Sequence, residues 1–158
     1  AVVIAGDGPE GPSLRALARD LQLGERVRFL GTVADRDLAG LYQHASALVL
    51  PAVNRAEAFG LVQLEAMASG TPVVSTRLGT GVDAVNQDGV PGLTVPVAEP
   101  RALAEAVARL VADPALANRL GAAGQARASE HFALEAVLDR LEALYAGLVA
   151  RGAVTTGR

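Results

Sequence analysis

Short apolar runs and amphipathic stretches alternate along most of this chain. Strand-like runs fall at Val2 to Ala5, Val27 to Leu30, Ala47 to Leu50, Val73 to Ser75 and Leu93 to Val95, short and rich in β-branched residues as strands are. Between them the period changes. Leu14, Leu17, Ala18 and Leu21 form one apolar stripe at helical spacing, entered through Gly11-Pro12-Ser13, and Leu38, Leu41, Tyr42 and Ala45 repeat the logic after Asp35. A third helix is predicted from about Gly60 to Ser69-Gly70, where glycine accepts the left-handed conformation that closes a helix, and Pro72 leads into the next strand. Strands that alternate with helices predict parallel pairing. After Val95 the pattern is helical only: Pro100 to Ala112, Pro114 to about Glu130, and Ala133 to about Arg151, the first two opened by a proline suited to a first turn. No internal repeat or linker divides residues 1–151, which read as one domain. The small, polar tail 152–158 is expected to be disordered.

At 158 residues the chain is long enough for a substantial core. With 51% hydrophobic but only 3% aromatic residues and no Trp, that core must be built from Ala, Val and Leu. A net charge of -3 and a sequence pI near 5.4 exclude a basic nucleic-acid groove, which needs clustered cations against phosphates. All 14 basic residues are Arg, so a phosphate held here must use Arg, backbone N–H groups or a Lys from elsewhere. No Cys is present, and His44 and His131 lie far apart, which gives a metal site little support. No apolar run approaches the roughly 20 residues of a membrane helix, and the opening run Ala1 to Ala5 shows no charged start and no cleavage signal, so the chain is expected to be soluble and cytoplasmic. Opening on a strand suggests a piece of something longer.

Several short motifs carry competing readings. Gly6-Asp7-Gly8-Pro9 follows the first strand, a place where α/β folds bring backbone close to phosphate. Gly11 falls at the wrong spacing for a dinucleotide fingerprint and two prolines stiffen the loop, so a plain tight turn accounts for it as well. Asp35-Arg36-Asp37 imitates a metal-holding D-x-D, but it opens a helix, where Asp suits the exposed N–H groups and where i and i+2 side chains diverge. His44 suits the C-terminal end of that helix. No Ser, His and carboxylate set occurs in a nucleophile-elbow context.

The most informative stretch is Glu57-Ala58-Phe59-Gly60-Leu61-Val62-Gln63-Leu64-Glu65, running on into Ala66-Met67-Ala68-Ser69-Gly70-Thr71-Pro72-Val73-Val74. On one helix, side chains eight apart would differ by about 80° in azimuth and roughly 12 Å along the axis. Such a pair suits gripping two ends of a hydroxyl-rich ligand and not sharing a proton. The plainer account makes Glu57 an acid placed ahead of a helix N-terminus and Glu65 an ordinary solvated position. That account strains at Glu65, whose neighbours Leu61, Val62, Leu64 and Ala66 are apolar, so its carboxylate should have a partner.

Glu57-x7-Glu65 followed by Ala-Met-Ala-Ser-Gly-Thr-Pro-Val-Val resembles the signature of retaining GT-B glycosyltransferases that use nucleotide-sugar donors, particularly those making bacterial surface glycans. Ile4-Ala5-Gly6-Asp7-Gly8-Pro9, Val27-Arg28-Phe29-Leu30-Gly31 and Gly89-Val90-Pro91-Gly92-Leu93-Thr94-Val95-Pro96 are similar to further segments of that family, in its order, over nearly the whole chain. The resemblance implies an α/β fold: a Rossmann-like three-layer domain with a parallel sheet, the C-terminal half of a GT-B fold, with a helical C-terminal extension. By the same resemblance Glu57, the catalytic-site carboxylate, would hydrogen-bond the transferred sugar, and Glu65 would accept from ribose hydroxyls. Backbone N–H groups of Phe59, Gly60 and Leu61 would face sugar and diphosphate. Gly31, Thr32 and Val33 would lie against the nucleobase, and Gly6 would belong to the donor site. Carboxylates accept strongly from vicinal hydroxyls and a helix start holds anionic oxygen without a metal, so no cofactor and no metal are expected.

The family's diphosphate-clamping Arg and Lys come from a unit upstream of Val2, and its acceptor domain lies outside this chain. The implied function is the donor half of an enzyme that transfers a sugar, with retention, from a nucleoside-diphosphate sugar to a glycan or lipid-linked acceptor. The full-length enzyme could associate peripherally with a membrane, and the chain alone is expected to be inactive. Leu38 stands where some relatives carry a basic residue. Gly79-Thr80-Gly81-Val82-Asp83 departs from the commoner Gly-Gly-x-x-Glu form, which leaves that loop's role open. Two rivals are a GT-B sugar-nucleotide epimerase and a non-catalytic nucleotide-binding domain.

Overall fold

The structure is a computed structural model that describes residues 1–151. The disorder expected for 152–158 falls outside the described residues. Tertiary contacts separate two compact units, Ala1–Leu41 and Tyr42–Arg158. Their boundary falls within a helix and not at a linker, so the sequence pattern gives no sign of it.

The first unit holds β1 (Val2–Ala5), helix α1 (Gly11–Asp20), a 3-10 turn (Gly24–Arg26), β2 (Val27–Gly31) and the start of α2 (Asp35–His44). β1 and β2 pair in parallel from Val2↔Val27 to Ile4↔Phe29, with an irregularity before Ala5↔Gly31. The expected stripe on α1 forms but stays largely open, with Leu17 52% and Leu21 58% exposed. So short a unit cannot cover its own apolar faces. The Arg15 guanidinium lies over the Phe29 ring at 4.4 Å. Asp35 and Asp37 stand in the first turn of α2 and His44 in its last, the placement expected from the helix dipole.

The second unit is built on a parallel sheet ordered β3-β4-β5, from β3 (Leu48–Leu50), β4 (Val73–Thr76) and β5 (Gly92–Val95). The five predicted strands thus occur and run parallel, but they fall into two sheets instead of one. The middle strand β4 is buried throughout, as its unbroken apolar start predicts. Successive residues point to opposite faces. Val73 joins Ala66, Met67 and Val85 in one core, while Val74 joins Leu93, Val95, Leu110, Leu116 and Leu120 in another. Helix α3 (Leu61–Ala68) supplies the first, and α5 (Pro100–Ala112) and α6 (Pro114–Arg127) the second, so this sheet is the middle of three layers.

Besides the 3-10 turn at Gly24–Arg26, two elements escaped the sequence pattern. Helix α4 (Gly81–Val85) has five residues, too few for a visible period, and starts where the Thr80 side chain accepts from the Val82 N–H. Beyond α6 the chain makes a π turn at Ala128–Phe132 before α7 (Leu134–Ala150), where continuous helix to about Glu130 was expected. Arg127 sits at that change of pitch. Its Nε donates to Val85 O at 3.0 Å and its Nη2 to Ala84 O at 2.6 Å, which closes the C-terminal end of α4. Asn86, fully buried, donates to Ser75 Oγ at 2.8 Å and to Leu93 O at 3.1 Å, tying β4 to β5 from beneath.

Candidate functional site

The segment 51–60 leaves the C-terminal end of β3 and turns into α3. Outside the carboxyl ends of parallel strands is where α/β sheets present loops to ligands. Gly60 makes the turn in the left-handed region, at φ 72° and ψ 62°, which a side chain would resist. A Cβ there would also lie 2.7 Å from both Gln63 Nε2 and Leu50 Cδ2. Phe59 is held from behind by Phe132 of the π turn, their rings edge to face at 6.0 Å.

Glu57 is half-buried in this loop. Its Oε1 accepts from the Gly60 N–H at 2.9 Å and its carbonyl accepts from Thr80 Oγ1 at 3.1 Å. Because α3 begins only at Leu61, Glu57 precedes the helix and the helical spacing estimate does not govern the carboxylate pair. Gly60 N–H, expected to face a ligand, is here engaged by Glu57. Leu61, at the first helical position, is 66% exposed, and an N–H at that position has no intrahelical acceptor.

Glu65 lies one turn further along α3, exposed despite its apolar neighbours in sequence. The partner expected for it is the Tyr42 hydroxyl, which donates to Glu65 Oε2 at 2.7 Å. By its spacing this tyrosine belongs to an apolar stripe, and nothing in that spacing marks it as a donor to Glu65. Burial first, then the hydrogen bond to Glu65 and the negative charge of Glu65, push the Tyr42 phenol well above its ordinary value. The neutral phenol is therefore favoured by folding. Its contribution to stability is complete below about pH 10 and is lost as pH rises through the elevated folded value. Urea midpoints compared at about pH 9 and about pH 11 should fall more for the wild type than for Tyr42→Phe; equal slopes would contradict this coupling.

Asp83, whose loop departs from the familiar form, has a structural role. Its two oxygens accept from the Leu78 N–H at 3.0 Å and the Gly79 N–H at 2.8 Å, folding the turn that follows β4. Thr80 in that turn reaches the Glu57 carbonyl, so two loops are fastened to each other at the C-terminal ends of β3 and β4.

The remaining expected residues lie in the first unit. Gly6 and Gly31 are brought together at the ends of β1 and β2, the Gly6 N–H donating to Gly31 O at 2.7 Å. Both have positive φ, 120° and 65°. Thr32 follows exposed and Val33 half-buried. Glu57, Phe59, Gly60, Leu61 and Glu65 are assembled within the second unit. Among the described residues, no group of three or more His, Asp or Glu could hold a metal ion, and no helix is long and apolar enough to cross a membrane.

Residues 1–127 match the family described as glycosyl transferases group 1. The chain is 40% identical over 131 residues to the D-rhamnosyltransferase WbpZ of Pseudomonas aeruginosa, covering 83% of this chain and 34% of WbpZ. It is 34% identical over 148 residues to the O-antigen chain mannosyltransferase C of Escherichia coli, covering 94% and 40%. Anabaena HepE, solved in complex with UDP, superposes with a TM-score of 0.81 at 26% identity, over 92% of this chain and 40% of HepE. The chain therefore spans between a third and two fifths of the length of these proteins. Its parallel sheets and helical C-terminal part are those of GT-B glycosyltransferases. On both the sequence match and the fold, this chain belongs to the glycosyl transferases group 1 family.

Proposed function

We propose that this chain is the donor-binding half of a retaining glycosyltransferase that moves a sugar from a nucleoside diphosphate to a glycan or lipid-linked acceptor, the acceptor being held by a domain outside it. The observation that carries the reading is the loop entering α3, where Glu57, the Gly60 turn and the Tyr42-braced Glu65 stand in sequence along one helix start. Relatives that transfer rhamnose and mannose support the sugar, and UDP bound to HepE supports the nucleotide.

In this reading Glu65 accepts from the two ribose hydroxyls, with Tyr42 fixing its carboxylate. Glu57 accepts from hydroxyls of the transferred sugar. The Phe59, Gly60 and Leu61 N–H groups, at the positive end of α3, stabilise charge that grows on the diphosphate as the anomeric bond breaks. Gly31, Thr32 and Val33 contact the base and Gly6 leaves room beside the donor. In this reading no metal is needed, because backbone dipoles of this chain and the Arg and Lys of the unit upstream hold the leaving group, and the enzyme works in the cytoplasm, on acceptors made there or presented at the membrane.

Calorimetric titration of the chain and of Glu65→Ala with UDP, GDP, ADP and their sugar forms tests this. One base should bind weakly, and Glu65→Ala should lose about tenfold or more, the effect of removing a charged acceptor. Sugar transfer by the purified chain alone would contradict the division of labour, and silence with every nucleotide would remove the donor reading.

A further inference from the structure

Gln63 is fully buried on α3, on the inward side that also carries Ala66 and Met67. Packing alone would be served better by an apolar residue there, because burying a primary amide costs free energy unless its groups are paired. One half of it is paired. Nε2 donates to Phe59 O at 3.1 Å, while Oε1 is buried without a partner. A carbonyl can only accept, so the nitrogen is the half that must face Phe59.

The Phe59 carbonyl and the Gly60 N–H are opposite ends of one peptide plane. Gln63 grips the carbonyl end and Glu57 grips the N–H end at 2.9 Å. That plane borders a left-handed glycine, the residue for which rotating the plane is sterically cheapest. Without a grip it could turn over and point its carbonyl where the N–H now points, which would repel an anion.

We infer that Gln63 is a positioning residue that latches the Phe59–Gly60 peptide with its N–H toward Glu57, which occupies that N–H until an anionic ligand oxygen displaces it. The ligand class, a nucleoside diphosphate, rests on the donor reading above. Displacement frees the Glu57 carboxylate at the moment the diphosphate is seated, so the anion's arrival and the readiness of Glu57 for a hydroxyl become one exchange.

The test uses the whole chain labelled with 15N, as wild type, Gln63→Met and Gln63→Glu. Methionine keeps the volume and removes the donor. Without ligand, hydrogen exchange at the Gly60 amide should quicken about tenfold in Gln63→Met, while the Val73 and Val74 amides in β4 keep their protection. Titrated with UDP, GDP and ADP and with the matching monophosphates, Gln63→Met should lose selectively the preference for diphosphate over monophosphate. Gln63→Glu adds a pH signature: only its protonated carboxyl can donate to Phe59 O, so Gly60 protection and diphosphate affinity should rise as pH falls, where wild type shows no such gain. Unchanged Gly60 exchange in Gln63→Met overturns the latch, as does equal loss of protection across all amides, which would make Gln63 merely structural. If wild type binds no nucleotide, the donor reading fails, and exchange at Gly60 alone decides the latch.

Discussion

Gly92→Ala is expected to cost the second unit its stable fold. β5 opens at Gly92, paired with Val73 of β4, and a Cβ there would stand 2.0 Å from the Val73 carbonyl oxygen and 2.6 Å from Asn86 Oδ1. The first is backbone of a strand buried on both faces and cannot swing aside like a flexible side chain. The second belongs to the amide that ties β4 to β5. Relief therefore requires the strands to part, with a loss of at least about 3 kcal/mol, at the upper end for overpacking. That is a large share of the stability of an ordinary domain. Gly40→Ala is the control: a Cβ there meets nothing within 4 Å, and Ala is the better helix former, so it should be neutral or slightly stabilising. Urea unfolding followed by circular dichroism separates the two. A Gly92→Ala midpoint close to wild type would show that the sheet has slack the geometry denies.

The second large effect is expected at Glu57, and it should be selective. Glu57→Ala removes the acceptor proposed for the sugar hydroxyls and also the carboxylate that occupies the Gly60 N–H. Affinity for a sugar nucleotide should fall about 10–100-fold, the worth of one or two hydrogen bonds to a charged group. Affinity for the bare nucleoside diphosphate should hold or rise, because the Gly60 N–H no longer has an internal competitor. Glu57→Gln should lie between, since its amide still accepts but without charge. Competition titrations of sugar nucleotide against nucleoside diphosphate measure the difference directly. Equal loss for both ligands would move Glu57 from sugar contact to general support of the loop.

The elements whose residues decide locally were legible from the chain. Val73 to Ser75 is an apolar run after Pro72, and β4 forms there; Pro100 and Pro114 mark helix starts, and α5 and α6 begin at those residues. What depends on distant residues was not legible. Hydrophobic spacing shows that strands exist but not which edges pair, so it could not divide five strands into a pair and a triplet. α4 depends on the Thr80 cap at one end and on Arg127 at the other, 42 residues further on. The carboxylates themselves stood out as acids in and beside an apolar run. Their partners did not: Tyr42 fits a helical stripe as well as Leu would, and only its hydroxyl tells it apart. Gln63 carried a fainter signal, a lone amide in Leu61-Val62-Gln63-Leu64, which gains meaning once the Phe59 carbonyl is seen beside it.

The π turn sets where this domain can be cut. Phe132 backs Phe59 while Arg127, whose guanidinium also lies over the Phe132 ring at 5.5 Å, closes α4. α4 in turn starts from Thr80, which holds the Glu57 carbonyl. A boundary drawn at residue 127, where the family match ends, would keep every strand yet strip the rear wall from the loop that enters α3. The shortest useful C-terminus therefore lies past Phe132, and a screen of truncations for crystallisation or binding should begin there.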